Sequence, residues 1–183
     1  MSILLKKEKF LLKLSTFLTA IGGILIIIAM PVGSLSIEVY LQAAASILII
    51  ISGVFLFISS MSTNLISTRF EKRIGYYATL STIVLSFILM AYGYINLSAA
   101  LTGVLDLISS DVMLIALTVM SIVSGILNNF FYKEIKGGTY GSYAGISLIF
   151  AGILMPVSVF LGLFMIGLAC FFFSGCFSYF AKH

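Results

Sequence analysis

Tryptophan is absent from the 183 residues, histidine occurs once, at the last position, and there are only two cysteines, two prolines and six acidic side chains. Each shortage closes off chemistry. Without an internal histidine there is no donor for an axial haem bond, a histidine-rich metal site or a histidine general base. Cys170 and Cys176 lie six apart on one expected helix, a rise of about 9 Å. That exceeds the roughly 7 Å limit for a disulfide, so they read as small packing residues, with palmitoylation of Cys176 as the alternative. Nucleotide-binding glycine loops, the GxSxG elbow and the HExxH zinc signature are all missing. Neither a catalytic residue nor a cofactor or metal site is expected.

Charge is scarcest of all. Charged residues make up 9% of the chain, against about 25% in soluble domains. Hydrophobic residues make up 61% and the mean hydropathy is +1.23, which places the chain in lipid. A hydrocarbon core about 30 Å thick asks for roughly 20 apolar residues per helix. Five charge-free runs meet that length: 14–37, 39–68, 74–105, 112–132 and 137–181. The last is too long for one crossing, and Pro156 near its middle is a place to fold it in two. The expected architecture is an all-α membrane protein of six transmembrane helices, a single polytopic domain over 1–183. It forms three parallel helical hairpins at about 14–61, 74–132 and 139–180. The first helix, about 14–33, reads as a retained signal anchor, preceded by a short surface helix over 2–13 and ended by a break at Pro31.

The ten cations then fall on one side: Lys6, Lys7, Lys9 and Lys13 before the first helix, Arg69, Lys72 and Arg73 after the second, Lys133 and Lys136 after the fourth, and Lys182 at the end. Glu38, Asp106 and Asp111 fall on the other. By the positive-inside rule both termini are cytoplasmic, and the turns at 33–38, 97–111 and 157–160 face outward. The formal charge of +4 is therefore an orientation signal. The partner it implies is the lipid bilayer, with no nucleic acid. All nine tyrosines sit near expected helix ends, as phenol rings that seek the interface should. The connection 97–110 is too apolar for a free loop and too short to span, so an interfacial or re-entrant helix is expected there. Asn96-Leu97-Ser98 forms a glycosylation sequon on the outer side.

Within the expected helices no Asp, Glu, Lys or Arg is central. Coupled carriers place such groups at mid-membrane despite an insertion cost of about 2.5–3.5 kcal/mol, so a coupled pump is not expected. Two polar sets remain. Glu38, Asp106 and Asp111 could bind a cation or sense pH if the outer turns met, although solvated loop charge is the simpler reading. Asn128, Asn129, Gln42 and the many Ser and Thr residues could line a path, although such residues more often hydrogen-bond between helices. The strongest packing signal is a run of glycines, Gly137, Gly141 and Gly145 at i+4 spacing with Gly152 one heptad later. That run reads as a helix-docking face, inside the protein or toward a partner such as another membrane subunit or a second copy.

The hairpins echo one another. Met30-Pro31-Val32 returns as Met155-Pro156-Val157, and Ser52-Gly53-Val54-Phe55 as Ser174-Gly175-Cys176-Phe177. The middle copy is looser, with Ala91 in the proline position and Ser124-Gly125 as its closing pair. On residues 23–31 with 52–55, and 152–156 with 174–177, the chain resembles the HdeD-like acid-resistance membrane proteins. The resemblance implies a six-helix inner-membrane fold and a protective or membrane-organising role, with no catalytic residues. The expected function is thus a non-enzymatic integral membrane protein, serving stress protection or as an accessory subunit of a larger membrane complex. The alternative is a small-solute transporter or substrate-binding membrane subunit, which would need a polar cavity opening outward.

Overall fold

In hydrocarbon a backbone must satisfy its own N–H and C=O groups, and apolar stretches of this length do so as helices. The computed structural model describes residues 6–34, 39–67, 73–103 and 107–182. Among them are six helices and no strand: α1 (Lys6–Ser34), α2 (Val39–Ser67), α3 (Arg73–Thr102), α4 (Leu107–Lys133), α5 (Thr139–Leu154) and α6 (Val159–Lys182). All except α5 are long and apolar enough to cross a membrane. The chain is a multi-pass integral membrane protein.

Two boundaries differ from expectation. The first helix does not break at Pro31 but continues to Ser34, and residues 6–13 belong to it instead of forming a separate surface helix. Proline removes one hydrogen bond, and so close to a helix end the surrounding turns tolerate that loss. Among the described residues of the connection 97–110 there is no separate re-entrant helix. Instead α3 runs on through Ala99 and Ala100 to Thr102, ends on Gly103 at φ 68 with its N–H bonded to the Ala99 carbonyl, and α4 begins at Leu107. Extending two helices leaves fewer backbone groups without a partner than inserting a third. The last run folds at Pro156 as expected: α5 stops at Leu154, and Pro156 lies in the turn to α6.

Each helix packs on its neighbours in the chain, and α6 returns to pack on α1, so the six close into a ring. Cross-helix contacts fix the directions. The Ser52 hydroxyl donates to the Gly22 carbonyl at 2.8 Å, while Ser15 and Ser59 each donate to the other's carbonyl at 3.4 Å, so α1 and α2 are antiparallel. Gly53 meets Ser86 and Met90, and Gly93 meets Ser46 and Ile50, for α2 and α3. Gly75 meets the Phe131 ring and Thr82 meets Ser124 for α3 and α4. Gly23 lies on Gly167, and the Ser174 hydroxyl donates to the Thr16 carbonyl at 2.9 Å, for α1 and α6. With an even number of alternating helices, Lys6 and Lys182 lie at one end of the ring. The described Lys7, Lys9, Lys13, Lys133 and Lys136 share that end, and Asp111 lies at the other.

Ile26, Leu89, Leu117, Leu148, Met155 and Ile166 fill the interior. Large apolar side chains such as Phe10, Phe17, Phe87, Ile115, Phe130 and Phe150 stand on the outside. A monomer in water rarely shows so much contiguous apolar surface. In a bilayer that surface meets its own solvent.

Candidate functional site

The interior is apolar by shape yet contains many hydroxyls, and most of these are satisfied within their own helix. Thr16 and Thr19 donate to the carbonyls of Leu12 and Ser15, Thr79 to that of Gly75, and Ser86 to that of Ile83. Such back-bonding hides polarity from lipid. A smaller set reaches across helices, and its centre is Asn128. The Asn128 amide nitrogen donates to the Ser124 carbonyl at 2.8 Å, the Thr82 hydroxyl oxygen at 3.1 Å, the Ser124 hydroxyl oxygen at 3.2 Å and the Ala78 carbonyl at 3.5 Å. Thr82 and Ser124 are themselves 3.2 Å apart. The Ser121 hydroxyl, one turn from Ser124, is the one buried side-chain polar atom among the described residues without a partner.

Beside this cluster lies a cavity of about 20 Å³, lined by Thr19, Ser59, Ser60, Thr79, Thr82, Asn128 and Tyr132 together with Leu56, Phe173 and Phe177. That volume has room for one or two water molecules. Five of the six helices contribute to its wall, and it sits in the half of the ring nearer the basic end. Residues 82, 124, 19 and 59 were visible in the sequence only as members of a long list of Ser and Thr. On α4 the spacing of Leu117, Ser121, Ser124 and Asn128, all buried, is the signal that marks an inward face.

The polar residues singled out from sequence separate in space. Asn128 faces the interior, Asn129 accepts a 2.5 Å hydrogen bond from the Ser142 hydroxyl of α5, and Gln42 is exposed. Of the acidic set, Glu38 and Asp106 lie outside the described residues, and Asp111 is exposed. Among the described residues no charged side chain is buried, and no three His, Cys, Asp or Glu side chains are grouped to hold a metal. Cys176 is fully buried, which removes it from reach of palmitoylation. Asn96 lies within α3, its amide donating to the Tyr92 carbonyl.

The glycine run divides as well. Gly141, Gly145 and Gly152 lie along the seam between α5 and α4. A Cβ on Gly145 would come within 2.5 Å of the Asn129 backbone nitrogen and 2.7 Å of the Gly125 carbonyl oxygen. Gly125 mirrors this, its own Cβ position lying 2.6 Å from the Gly145 oxygen. Gly152 faces Thr118 and Ile122, and Gly141 makes room for the Tyr132 ring. Tyr132, expected at the interface, is therefore buried, packed edge-on to Phe131 and tilted against Phe173. Gly137 is not part of the stripe. It precedes α5 in the turn from α4 at φ 87, where the Tyr179 ring of α6 also fills the space a side chain would need.

The Ser-Gly pairs show how the hairpins compare. Aligning Met30 with Met90 and Ser52 with Ser124 sets Gly22 opposite Thr82, and the two serine hydroxyls meet those two positions. In both hairpins the glycine faces onward, Gly53 to α3 and Gly125 to α5. In the third the roles exchange: Ser174 reaches onward to α1, and Gly175 turns back to Tyr140 of α5. The sequence echo is stronger between first and third hairpins, whereas these contacts agree between first and second. No family model, curated protein or solved structure matches the chain.

Proposed function

We propose that this is a non-enzymatic membrane protein whose three hairpins insert in parallel, with both chain ends in the cytoplasm, and that it acts through its packed helices on the organisation of the membrane. Stress protection, as the HdeD-like resemblance implies, and service as an accessory subunit of a larger complex are its two forms. The observation that carries this reading is the closed ring. Its interior is filled by side chains, its described cations gather at one end, and its outer face is an apolar belt to which every helix contributes large side chains. A cation pays heavily to cross hydrocarbon, so an end holding this many stays on the side of synthesis.

The test uses Tyr40→Cys and Lys136→Cys in otherwise unchanged protein, whose two native thiols are buried. A membrane-impermeant maleimide added to intact cells should label residue 40 and reach residue 136 only after permeabilisation. The opposite pattern, or labelling of both from outside, rejects the orientation. The second reading, passage of a small uncharged solute, draws on the polar cavity, which lies in the basic half and not at the outer end where that reading expects it. It predicts glycerol or urea flux into proteoliposomes above that of protein-free vesicles. The packing reading predicts none, because the cavity has room only for water.

A further inference from the structure

The third hairpin ends lower than the others. α5 has 16 residues, against 27 to 30 in α1–α4, a rise of about 24 Å against about 40–45 Å. Gly152 marks its height on α4, where it lies against the Thr118 carbonyl. From Thr118, α4 continues eleven residues to Leu107 (118 minus 107), about 16 Å further. From Gly152, five residues lead to Val157, and because the N–H groups of Met155, Val157 and Ser158 bond back to Ala151 and Leu154, they keep the helical rise and climb only about 7.5 Å. The turn therefore stops roughly 9 Å below the end of α4.

Its chemistry matches that depth. No charged residue occurs between Lys136 and Lys182, and the surface around the turn is Phe150, Ile153, Val157, Phe160, Leu161 and Phe164, with Val157 80% exposed. The turn also supplies its own hydrogen bonds. The N–H groups of Met155, Val157 and Ser158 donate to the carbonyls of Ala151 and Leu154, and that of Gly162 to Ser158, at 2.8–3.0 Å. The Ser158 hydroxyl accepts from the Leu161 N–H at 3.5 Å, and Pro156 has no N–H to place. Irregular backbone is costly in lipid when its polar groups lack partners, and this turn lessens that cost. The contrast is the described turn at the basic end, which carries Lys133, Glu134 and Lys136.

We propose that residues 154–161 form a lipid-embedded hairpin end whose partner is the acyl chains of the outer leaflet, continuous with the apolar belt. This rests on the membrane placement above and gives the membrane-organising reading a physical form.

Nitroxide-labelled Val157→Cys and Leu101→Cys test it in vesicles of phosphatidylcholine and phosphatidylglycerol, with the parent protein as the blank. Both sites are exposed, at 80% and 71%, so neither label disturbs packing. Oxygen concentrates in hydrocarbon and a nickel chelate in water. The oxygen-to-nickel relaxation ratio should be several-fold higher at residue 157 than at residue 101. Equal ratios, or a higher one at 101, overturn the proposal. If maleimide labelling reverses the orientation while residue 157 still reads oxygen-rich, the orientation alone fails. The converse pair of results removes the embedded turn alone.

Discussion

The two flanks of α4 are joined to their neighbours by different physics. Toward α3, Ser124 and Asn128 hydrogen-bond to Thr82 and Ala78. Toward α5, Gly125 and Gly145 set backbone against backbone, with the Ser142–Asn129 bond beside them. Lipid tails are as apolar as leucine, so burial of hydrocarbon alone does not draw helices together. Close van der Waals contact and interhelical hydrogen bonds do. Hydrogen bonds between membrane helices average only about 0.6 kcal/mol, because an unpacked helix also finds partners. A glycine seam has no such substitute, since a misplaced methyl group must push a whole helix away. The glycine flank should therefore be the less forgiving of the two.

The largest effect is expected at that flank. Gly145→Leu forces a side chain into the Asn129 and Gly125 backbones and should cost about 3 kcal/mol or more, read as loss of the monodisperse species and of a cooperative thermal transition in detergent. On the other flank Asn128→Leu should cost about 1–2 kcal/mol with the fold retained. A larger loss than that of Gly145→Leu would reverse the ranking. Gly53→Ala tests an intermediate seam, where the nearest atom is the flexible Met90 side chain at 2.5 Å and the Ser86 carbonyl is 3.1 Å away. A cost of about 1 kcal/mol is expected, largely recovered by Met90→Ala in a double-mutant cycle. Smallest is Gly175→Ala. Its nearest neighbour, the Tyr140 ring, is 3.6 Å away, so the midpoint should move by no more than about 0.5 kcal/mol in stability. Gly175 belongs to the same Ser-Gly signature as Gly53, so a large effect there would show that the motif matters more than its surroundings.

That pair also marks how far the sequence could be read. The spacing of Gly141, Gly145 and Gly152 puts them on one side of a helix, because residues three, four or seven apart share a face, and that side meets α4. Gly137 fits the same arithmetic but lies in a turn, since periodicity says nothing of where a helix starts. Ser52-Gly53, Ser124-Gly125 and Ser174-Gly175 look alike as strings, yet the third is rotated so that its serine and glycine exchange neighbours. Tyr132 has the position of an interface residue and the burial of a core one, because Gly141 on another helix opens the space that its ring fills.

Composition and charge by themselves determined that the chain lives in lipid, that it is helical, roughly where the helices fall and which ends gather the cations. Those follow from each residue's own transfer energy and from backbone hydrogen bonds that close within one helix. The tertiary structure decided the rest: the closure of α6 on α1, the rotation of each helix, the small polar cavity and the recessed third turn. A soluble helix shows its inward side by a hydrophobic stripe. These helices are apolar all round, so the inward side is chosen by the fit of small residues against helices distant in the chain.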